Sequence, residues 1–211
     1  MNQLNQDAYN QLLKANQDVQ QFFTTYDGPN WYELTYNLFA TAPLETMNDF
    51  WRIIAYTYSW MPTIPDVKAH LVNDPDALLQ KLQALRSGDD TQLEGLLWEL
   101  IPVINNSLVG VTKVLHFIAP TVVPIIDRHV LRGWDLFFRV HPEYSAPKLP
   151  SYRVALNKTH ISKYLAYRDN LLQWVASGDG QFTVRDLELA FFTLSRNTEE
   201  LQRVYLPTYN D

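Results

Sequence analysis

One lysine and one aspartate in the middle of this chain have the residue types and the setting for chemistry on an electrophilic carbon. Lys113 follows Thr112 in the run VGVTKVLHF, and we expect Thr112 to cap a short helix that has Lys113 in its first turn. The field at a helix N-terminus disfavours the ammonium form of a lysine, and a neutral amine can attack a sugar carbon or a carbonyl. Asp127 precedes the apolar stripe of the next helix, where it is predicted to cap that helix as a fixed anion. The alternatives are a solvated surface lysine and an aspartate that only caps.

A tight connection is predicted to precede the lysine, over residues 105–112. Asn105-Asn106 ends the helix before it, and Gly110 is the residue that takes a positive φ without steric cost. His116 and His129 are expected to be packed or hydrogen-bonded structural histidines. Trp134, Phe137 and Phe138 have helical core spacing, so core packing is expected for them.

Helices are predicted to position all of these residues. The chain has only 7 glycines, and no stretch shows the sustained alternation of a half-buried strand. Helical spacing and capping signals predict helices over residues 4–23, 31–39, 44–60, 75–86, 91–104, 113–118, 128–138, 157–175 and 183–194. Asp74 is predicted to cap the fourth of these helices, and Asp90 or Thr91 the fifth. We therefore expect an all-α fold of about eight to ten helices. We expect a single domain over 1–211, with N-terminal helices in 1–106, the motif region in 107–140 and C-terminal helices in 157–205.

The motif region resembles the helix-hairpin-helix DNA glycosylase superfamily, and within it the 8-oxoguanine glycosylase-fold branch. Members carry a hairpin of the form LPGVGxK, then a helix, then VDxHV at the start of the next helix; here the two stretches read LVGVTKV and IDRHV. The hairpin is degenerate, because it lacks the second glycine and is one residue shorter. Small uncharacterised bacterial proteins of this fold carry K-x-L-H-F-L-x-P and F-P-I-x-D-x-x-V, which KVLHFIAP and VPIIDRHV resemble more closely.

The resemblance implies a compact multi-helix glycosylase fold that acts on DNA without a cofactor. In bifunctional members the motif lysine attacks the anomeric carbon of a flipped nucleotide, which implies Lys113 as the nucleophile. The shared aspartate stabilises positive charge on the sugar or relays protons, which implies Asp127 as the acid/base partner. The lesion implied is an oxidised purine such as 8-oxoguanine, removed with or without cleavage of the abasic strand.

The same resemblance implies contacts to DNA. The family's hairpin grips a phosphate with backbone N–H groups, and a C-terminal helix supplies a phenylalanine that stacks on the flipped base. Phe191 and Phe192 are the candidates for that stacking. The candidate DNA-binding residues are Gly110, Thr112, Arg128, His129 and Arg132.

The net charge of −6 argues against a polyanion partner, but the distribution of charge along the chain is compatible with a polyanion-binding face. Residues 101–168 hold 9 Lys+Arg and 3 Asp+Glu, whereas residues 1–100 hold 5 and 13 and residues 169–211 hold 3 and 7. Chance clustering of surface charge is the alternative. The candidate phosphate contacts are Arg128, Arg132, Arg139, Lys148, Arg153, Lys158 and Lys163.

Composition excludes several classes of function. Without cysteine the chain has no disulfide, thiolate zinc site, iron–sulfur cluster or Cys nucleophile. The four histidines of the basic region lack ligand-like spacing, so no metal is expected. The chain starts without the basic and apolar stretches of a signal peptide, and its apolar runs are shorter than the ~20 residues of a membrane span. We expect a cytoplasmic protein with no membrane partner.

Two functions remain open at this point. The first is a DNA glycosylase that uses Lys113 and Asp127. The second is a catalytically inactive nucleic-acid-binding or protein-interaction module on the same fold, which the degenerate hairpin and the acidic flanks favour. Retention of both the lysine and the aspartate favours the enzyme, because a binding module requires neither.

Overall fold

Nine α-helices make up most of the described chain, in a computed structural model that describes residues 4–24, 31–145, 147–178 and 180–196. In these ranges the backbone forms no strand beyond an isolated bridge between Val67 and Ile104, so the all-α prediction is confirmed. The helices are α1 (Gln6–Thr24), α2 (Trp31–Ala40), α3 (Met47–Tyr58), α4 (Pro75–Arg86), α5 (Leu93–Val103), α6 (Leu108–Ile118), α7 (Arg128–Val140), α8 (Ile161–Ser177) and α9 (Val184–Arg196). Short 3₁₀ turns occur at Ala69–Leu71 and Lys158–His160.

Local capping signals account for most helix starts. Asp74 caps α4 as predicted, because its carboxylate accepts a hydrogen bond from Ala77 N at 2.9 Å. The start of α5 was predicted too early. Asp90, one of the two expected caps, instead forms an ion pair with Arg168 of α8, and the helix begins at Leu93 without a side-chain cap.

The connection before Lys113 differs from its prediction. Asn105 and Asn106 take the left-handed conformation, with φ of 54° and 49°. Ser107 then caps α6 through Gly110 N at 3.0 Å, so the residues expected to form a loop are already helical. Thr112 is therefore not a cap. Gly110 has a different role, because a Cβ there would lie 2.6 Å from Tyr58 Oη: it allows close packing, not a positive φ.

Helices α7 and α9 approach each other closely at Gly133. A Cβ built on Gly133 would lie 1.8 Å from the carbonyl oxygen of Phe191, so only glycine lets the two backbones meet there. Trp134, Phe137, Trp174 and Phe191 pack their rings around this contact and are buried, and Phe138 is partly buried against them. The contact aligns the start of α7 with the second half of α9.

Candidate active site

Lys113 and Asp127 meet in the folded protein. Lys113 Nζ lies 3.4 Å from Asp127 Oδ2, and the two side chains keep only 19% and 15% of their surface exposed. Lys113 is the sixth residue of α6, because the helix begins at Leu108. It therefore lies beyond the first turn, where the field of the helix N-terminus has fallen off. Its amine has an anionic neighbour in place of that field.

The two oxygens of Asp127 have different partners. Oδ1 accepts the backbone N–H groups of His129 at 2.9 Å and Val130 at 3.0 Å, which caps α7 as predicted. Oδ2 faces the amine of Lys113. The cap fixes the carboxylate, so its second oxygen is held beside the lysine without the loss of side-chain freedom that a surface pair requires.

Side chains of α8 hold the segment that leads into Asp127. The hydroxyl of Tyr164 donates to Pro124 O at 2.9 Å, and that of Tyr167 donates to Ile125 O at 3.2 Å. Arg168 Nε donates to Val122 O at 2.7 Å. Backbone carbonyls removed from water need such partners, and here three carbonyls within four residues obtain them from one helix. The segment is thereby fixed although it forms no regular structure.

His116 fixes the same segment from the side of α6. Its Nδ1 lies 2.7 Å from Val123 O, a pure acceptor, so Nδ1 carries the proton. Nε2 then accepts the hydroxyl proton of Tyr36 at 2.9 Å. Burial, helped by the charge of Arg185, lowers the pKa of His116 to about 3 and keeps the ring neutral. The histidine is structural, as expected from the sequence.

A buried ion pair on α9 completes the support. Arg185 Nη1 donates to Glu188 Oε1 at 2.7 Å, and Glu188 Oε2 accepts Ile125 N at 3.3 Å. Only 3% of the Glu188 side chain is exposed. Burial raises the pKa of Glu188, the adjacent arginine opposes that shift, and the charge of Asp127 adds to it. The charges of Glu188 and Asp127 therefore act on each other.

The free energy of unfolding of Glu188→Gln is expected to increase relative to that of the wild type as pH rises. The pKa of Glu188 is raised on folding, so above pH 4.5 the unfolded chain ionises first and the wild type loses stability through this window. Glutamine keeps an acceptor for Ile125 N and does not titrate. Urea unfolding of both proteins from pH 4.5 to 7.5 measures the difference in free energy of unfolding. A difference that stays constant, or reverses, contradicts the burial of an ionisable Glu188.

Basic groups converge on His129 at the start of α7. Its Nδ1 lies 3.0 Å from Ser195 Oγ, and its ring meets Phe192 edge to face at 5.4 Å. Burial lowers the pKa of His129, the charge of Asp127 opposes this shift, and three arginines reinforce it. These are Arg128, Arg132 and Arg196, which together with His129 we call the basic cluster.

Three residues expected to bind DNA are not placed to do so. Thr112 is fully buried and its hydroxyl donates to Val109 O, and Gly110 is buried with its N–H bound to Ser107 Oγ. Phe191 is fully buried among Trp134, Phe137 and Trp174, so it is a core residue and not a stacking platform. Phe192, the next residue, is half-buried beside His129.

The other candidates remain on the surface. Arg128 is exposed and Arg132 is half-buried, both at the same end of α7 as Asp127. Arg139 lies at the far end of α7, where it pairs with Asp135 at 2.7 Å. Lys148, Arg153, Lys158 and Lys163 are exposed.

Sequence reasoning missed the residues that hold the segment before Asp127. The sequence carried one signal for Glu188. It lies four residues after Val184 and three before Phe191, on the apolar face of the helix. A carboxylate buried on such a face needs a partner. Arg185, three residues earlier, is that partner. Tyr164, Tyr167 and Arg168 gave no such signal, since their acceptors lie far away in the sequence.

The described part of the chain shows neither a metal-binding cluster nor a membrane-spanning helix. Within the described ranges, no group of three or more His, Asp or Glu side chains is placed to hold a metal ion. None of the described helices combines the length and apolar character of a membrane span. Comparisons with protein-family models, curated proteins and solved structures find no match.

Proposed function

We propose that this protein is a DNA glycosylase that removes an oxidised purine such as 8-oxoguanine, with Lys113 as nucleophile and Asp127 as acid/base partner. The observation that supports this most is the 3.4 Å contact between Lys113 Nζ and Asp127 Oδ2 in a partly buried position. The proposal includes the helix-hairpin-helix glycosylase fold, which the two sequence stretches around this pair resemble. No cofactor takes part in the chemistry.

The pair has the groups for a balanced displacement. Asp127 takes one proton from the ammonium of Lys113, and the amine lone pair forms a bond to C1′ of a flipped nucleotide. The bond from C1′ to the base breaks, and the departing base takes the proton from Asp127. A second proton then passes from the lysine nitrogen to O4′ as the sugar ring opens, which leaves a Schiff base between Lys113 and C1′.

The capping of Asp127 supports this role. A carboxylate that accepts two backbone N–H groups through Oδ1 keeps Oδ2 in one place throughout a proton transfer. Pre-organisation of this kind contributes to catalysis because no side chain has to be reordered in the transition state. A lysine and an aspartate that served only as a surface pair would gain little from such support.

Asp127→Asn is expected to lower base release by about 10²- to 10⁴-fold, the usual contribution of a general acid or base. Asparagine caps helices as well as aspartate does, so the fold is expected to remain. Single-turnover release of 8-oxoguanine from a duplex measures the effect, and thermal unfolding checks the fold. Asp127→Ala is the comparison that removes the cap as well. If Asp127→Asn releases the base at the wild-type rate, Asp127 only caps α7 and takes no part in the chemistry.

The basic cluster supports DNA as the substrate. Like charges gathered around one imidazole repel one another, and a phosphate between them relieves that repulsion. Arg128 and Arg132 lie within two turns of Asp127 on α7, so a bound backbone would place a nucleotide beside the Lys113–Asp127 pair. Phe192 presents a partly exposed ring at the same end.

Arg128→Gln and Arg132→Gln are each expected to lower the slope of log affinity against log salt by about 0.9, the value for one lost phosphate contact. Arg52→Gln, which removes an ion-paired arginine from α3 outside the candidate site, is the matched control and leaves the slope unchanged. Fluorescence anisotropy with a short duplex between 50 and 200 mM salt measures it. Equal slopes for all four proteins would exclude the basic cluster from the DNA interface.

One observation favours the alternative of a non-enzymatic binding module. The N–H of Gly110 donates to Ser107 Oγ. In the glycosylase family that the sequence resembles, hairpin N–H groups bind a DNA phosphate, whereas here this one has a partner within the chain. DNA binding without base release in the single-turnover assay would select this alternative. Lys113 would then be a structural partner of Asp127.

A further inference from the structure

Arg185 has hydrogen-bonding capacity that the fold does not use. Its Nη1 donates to Glu188, and its guanidinium carbon lies 5.0 Å from the centre of the Tyr36 ring. Across the described residues, the bond to Glu188 is the only hydrogen bond of this guanidinium, which carries five N–H donors. Its side chain keeps 20% of its surface exposed. The group is thus held on two sides and open to a ligand.

Contacts place Arg185 beside the candidate active site. Glu188 links it to Ile125 N, two residues before Asp127. The charge of Arg185 also acts on His116, which lies one turn beyond Lys113 in α6. Arg185 is therefore adjacent to Glu188 and His116, which support the segment before Asp127.

The neighbouring polar groups are already engaged. The hydroxyl of Tyr36 donates to His116 Nε2, and each carboxylate oxygen of Glu188 accepts a hydrogen bond. Of these three polar side chains, Arg185 is the one with unused donors. A guanidinium has donors and no acceptor, so it binds a carbonyl oxygen and is mismatched with an amino group.

We infer that Arg185 selects the excised base by donating to its 6-carbonyl oxygen, so that 6-oxopurines are accepted and 6-aminopurines are rejected. This inference rests on the proposed function, because it assumes that a base is brought to the Lys113–Asp127 pair. The ring of Tyr36 packs against the guanidinium, and Glu188 binds one of its nitrogens. The substrate class is an oxidised purine with a carbonyl at position 6.

Binding to matched duplexes tests the inference without requiring catalysis. The probes carry 8-oxohypoxanthine, 8-oxoadenine or a tetrahydrofuran abasic analogue in one sequence, and fluorescence anisotropy measures each affinity. The wild type is expected to bind 8-oxohypoxanthine about 10- to 100-fold more tightly than 8-oxoadenine, as for one well-placed arginine contact. Arg185→Gln is expected to lose this preference, because an amide both donates and accepts. Arg185→Lys is expected to keep part of it, because an ammonium only donates.

The abasic duplex controls for folding, because it contains no base to select. All variants are expected to bind it with the wild-type affinity. The double variant Arg185→Gln, Glu188→Gln removes both charges of the buried pair together, and it serves if the single variant does not fold. It too is expected to lose the preference between the two bases.

The outcomes separate this inference from the proposed function. Equal wild-type affinity for the two bases overturns the role of Arg185, as does a preference that persists in Arg185→Gln and the double variant. Equal weakening on the abasic duplex assigns Arg185 a structural role. A wild-type preference that depends on Arg185, without any covalent adduct at Lys113, supports base selection and contradicts the proposed chemistry.

Discussion

Base release from an 8-oxoguanine duplex is expected to fall by about 10³-fold or more in Lys113→Gln, since loss of a covalent nucleophile costs at least this much in other enzymes. Glutamine keeps a polar side chain, one atom shorter, but the lone pair of its amide nitrogen is delocalised into the carbonyl group and does not attack C1′. The variant also loses a partly buried ion pair with Asp127, so its thermal unfolding is compared with that of the wild type to separate lost chemistry from lost stability. Single-turnover kinetics under saturating protein measures the effect on chemistry alone.

Lys81→Gln is the matched control for that experiment. Lys81 also forms an ion pair, with Glu99 at 2.8 Å, and it lies on α4, outside the candidate site. The same change of charge and the same loss of a pair should leave base release at the wild-type rate. Equal loss in both variants would mean that charge, and not the amine of Lys113, determines activity.

Gly133→Ala is expected to lower the free energy of unfolding by about 3 kcal/mol, at the upper end of the usual cost of overpacking. The added methyl group would lie 1.8 Å from a backbone carbonyl oxygen of α9, which cannot rotate away as a side chain can. The helices must therefore separate, and the ring cluster around Phe191 loses contacts. A loss of this size lowers Tm by about 10 °C in a domain of this length.

Gly95→Ala is the control for the change in helix propensity. Gly95 lies in α5, and a Cβ there would have no heavy atom within 4 Å. This variant is expected to gain up to about 1 kcal/mol, because alanine favours the helix. Thermal and urea unfolding measure both variants. A Gly133→Ala protein as stable as the wild type would contradict the close contact between α7 and α9.

Features set by neighbouring residues could be predicted from the sequence. Asp127 was recognised as the cap of α7, and Asp74 as the cap of α4, because a cap depends on side chains within one turn. The all-α class follows from helical spacing along the whole chain. Lys113 and Asp127 were chosen together from the same two stretches. Their separation of 3.4 Å depends on how the chain folds back, and only the structure gives it.

Features set by distant residues could not be predicted in this way. Gly110 was assigned a positive φ because glycine is the usual residue for that conformation, but Tyr58 of α3 is what excludes a side chain there. Ser107 and Thr112 are both plausible caps by type, and the left-handed Asn105-Asn106 turn decides for Ser107. Each outcome depends on a contact or a backbone conformation that residue type alone does not specify.

The two adjacent phenylalanines of α9 illustrate the same limit. Neighbouring helical positions point about 100° apart, so Phe191 and Phe192 face different surroundings. Gly133 brings α7 against the side that carries Phe191, and Phe192 is left beside His129 at the candidate site. The sequence supplied both candidates, and the packing partner selects one of them.

Borohydride trapping on duplexes that carry 8-oxoguanine or an abasic site tests the central claim most directly. Reduction converts a Schiff base between Lys113 and C1′ into a stable bond, which gel electrophoresis detects as a protein–DNA adduct. The account predicts an adduct with the wild type and Lys81→Gln on the 8-oxoguanine duplex, and none with Lys113→Gln. No adduct and no released base from the wild type would contradict it, as would an adduct of equal yield from Lys113→Gln.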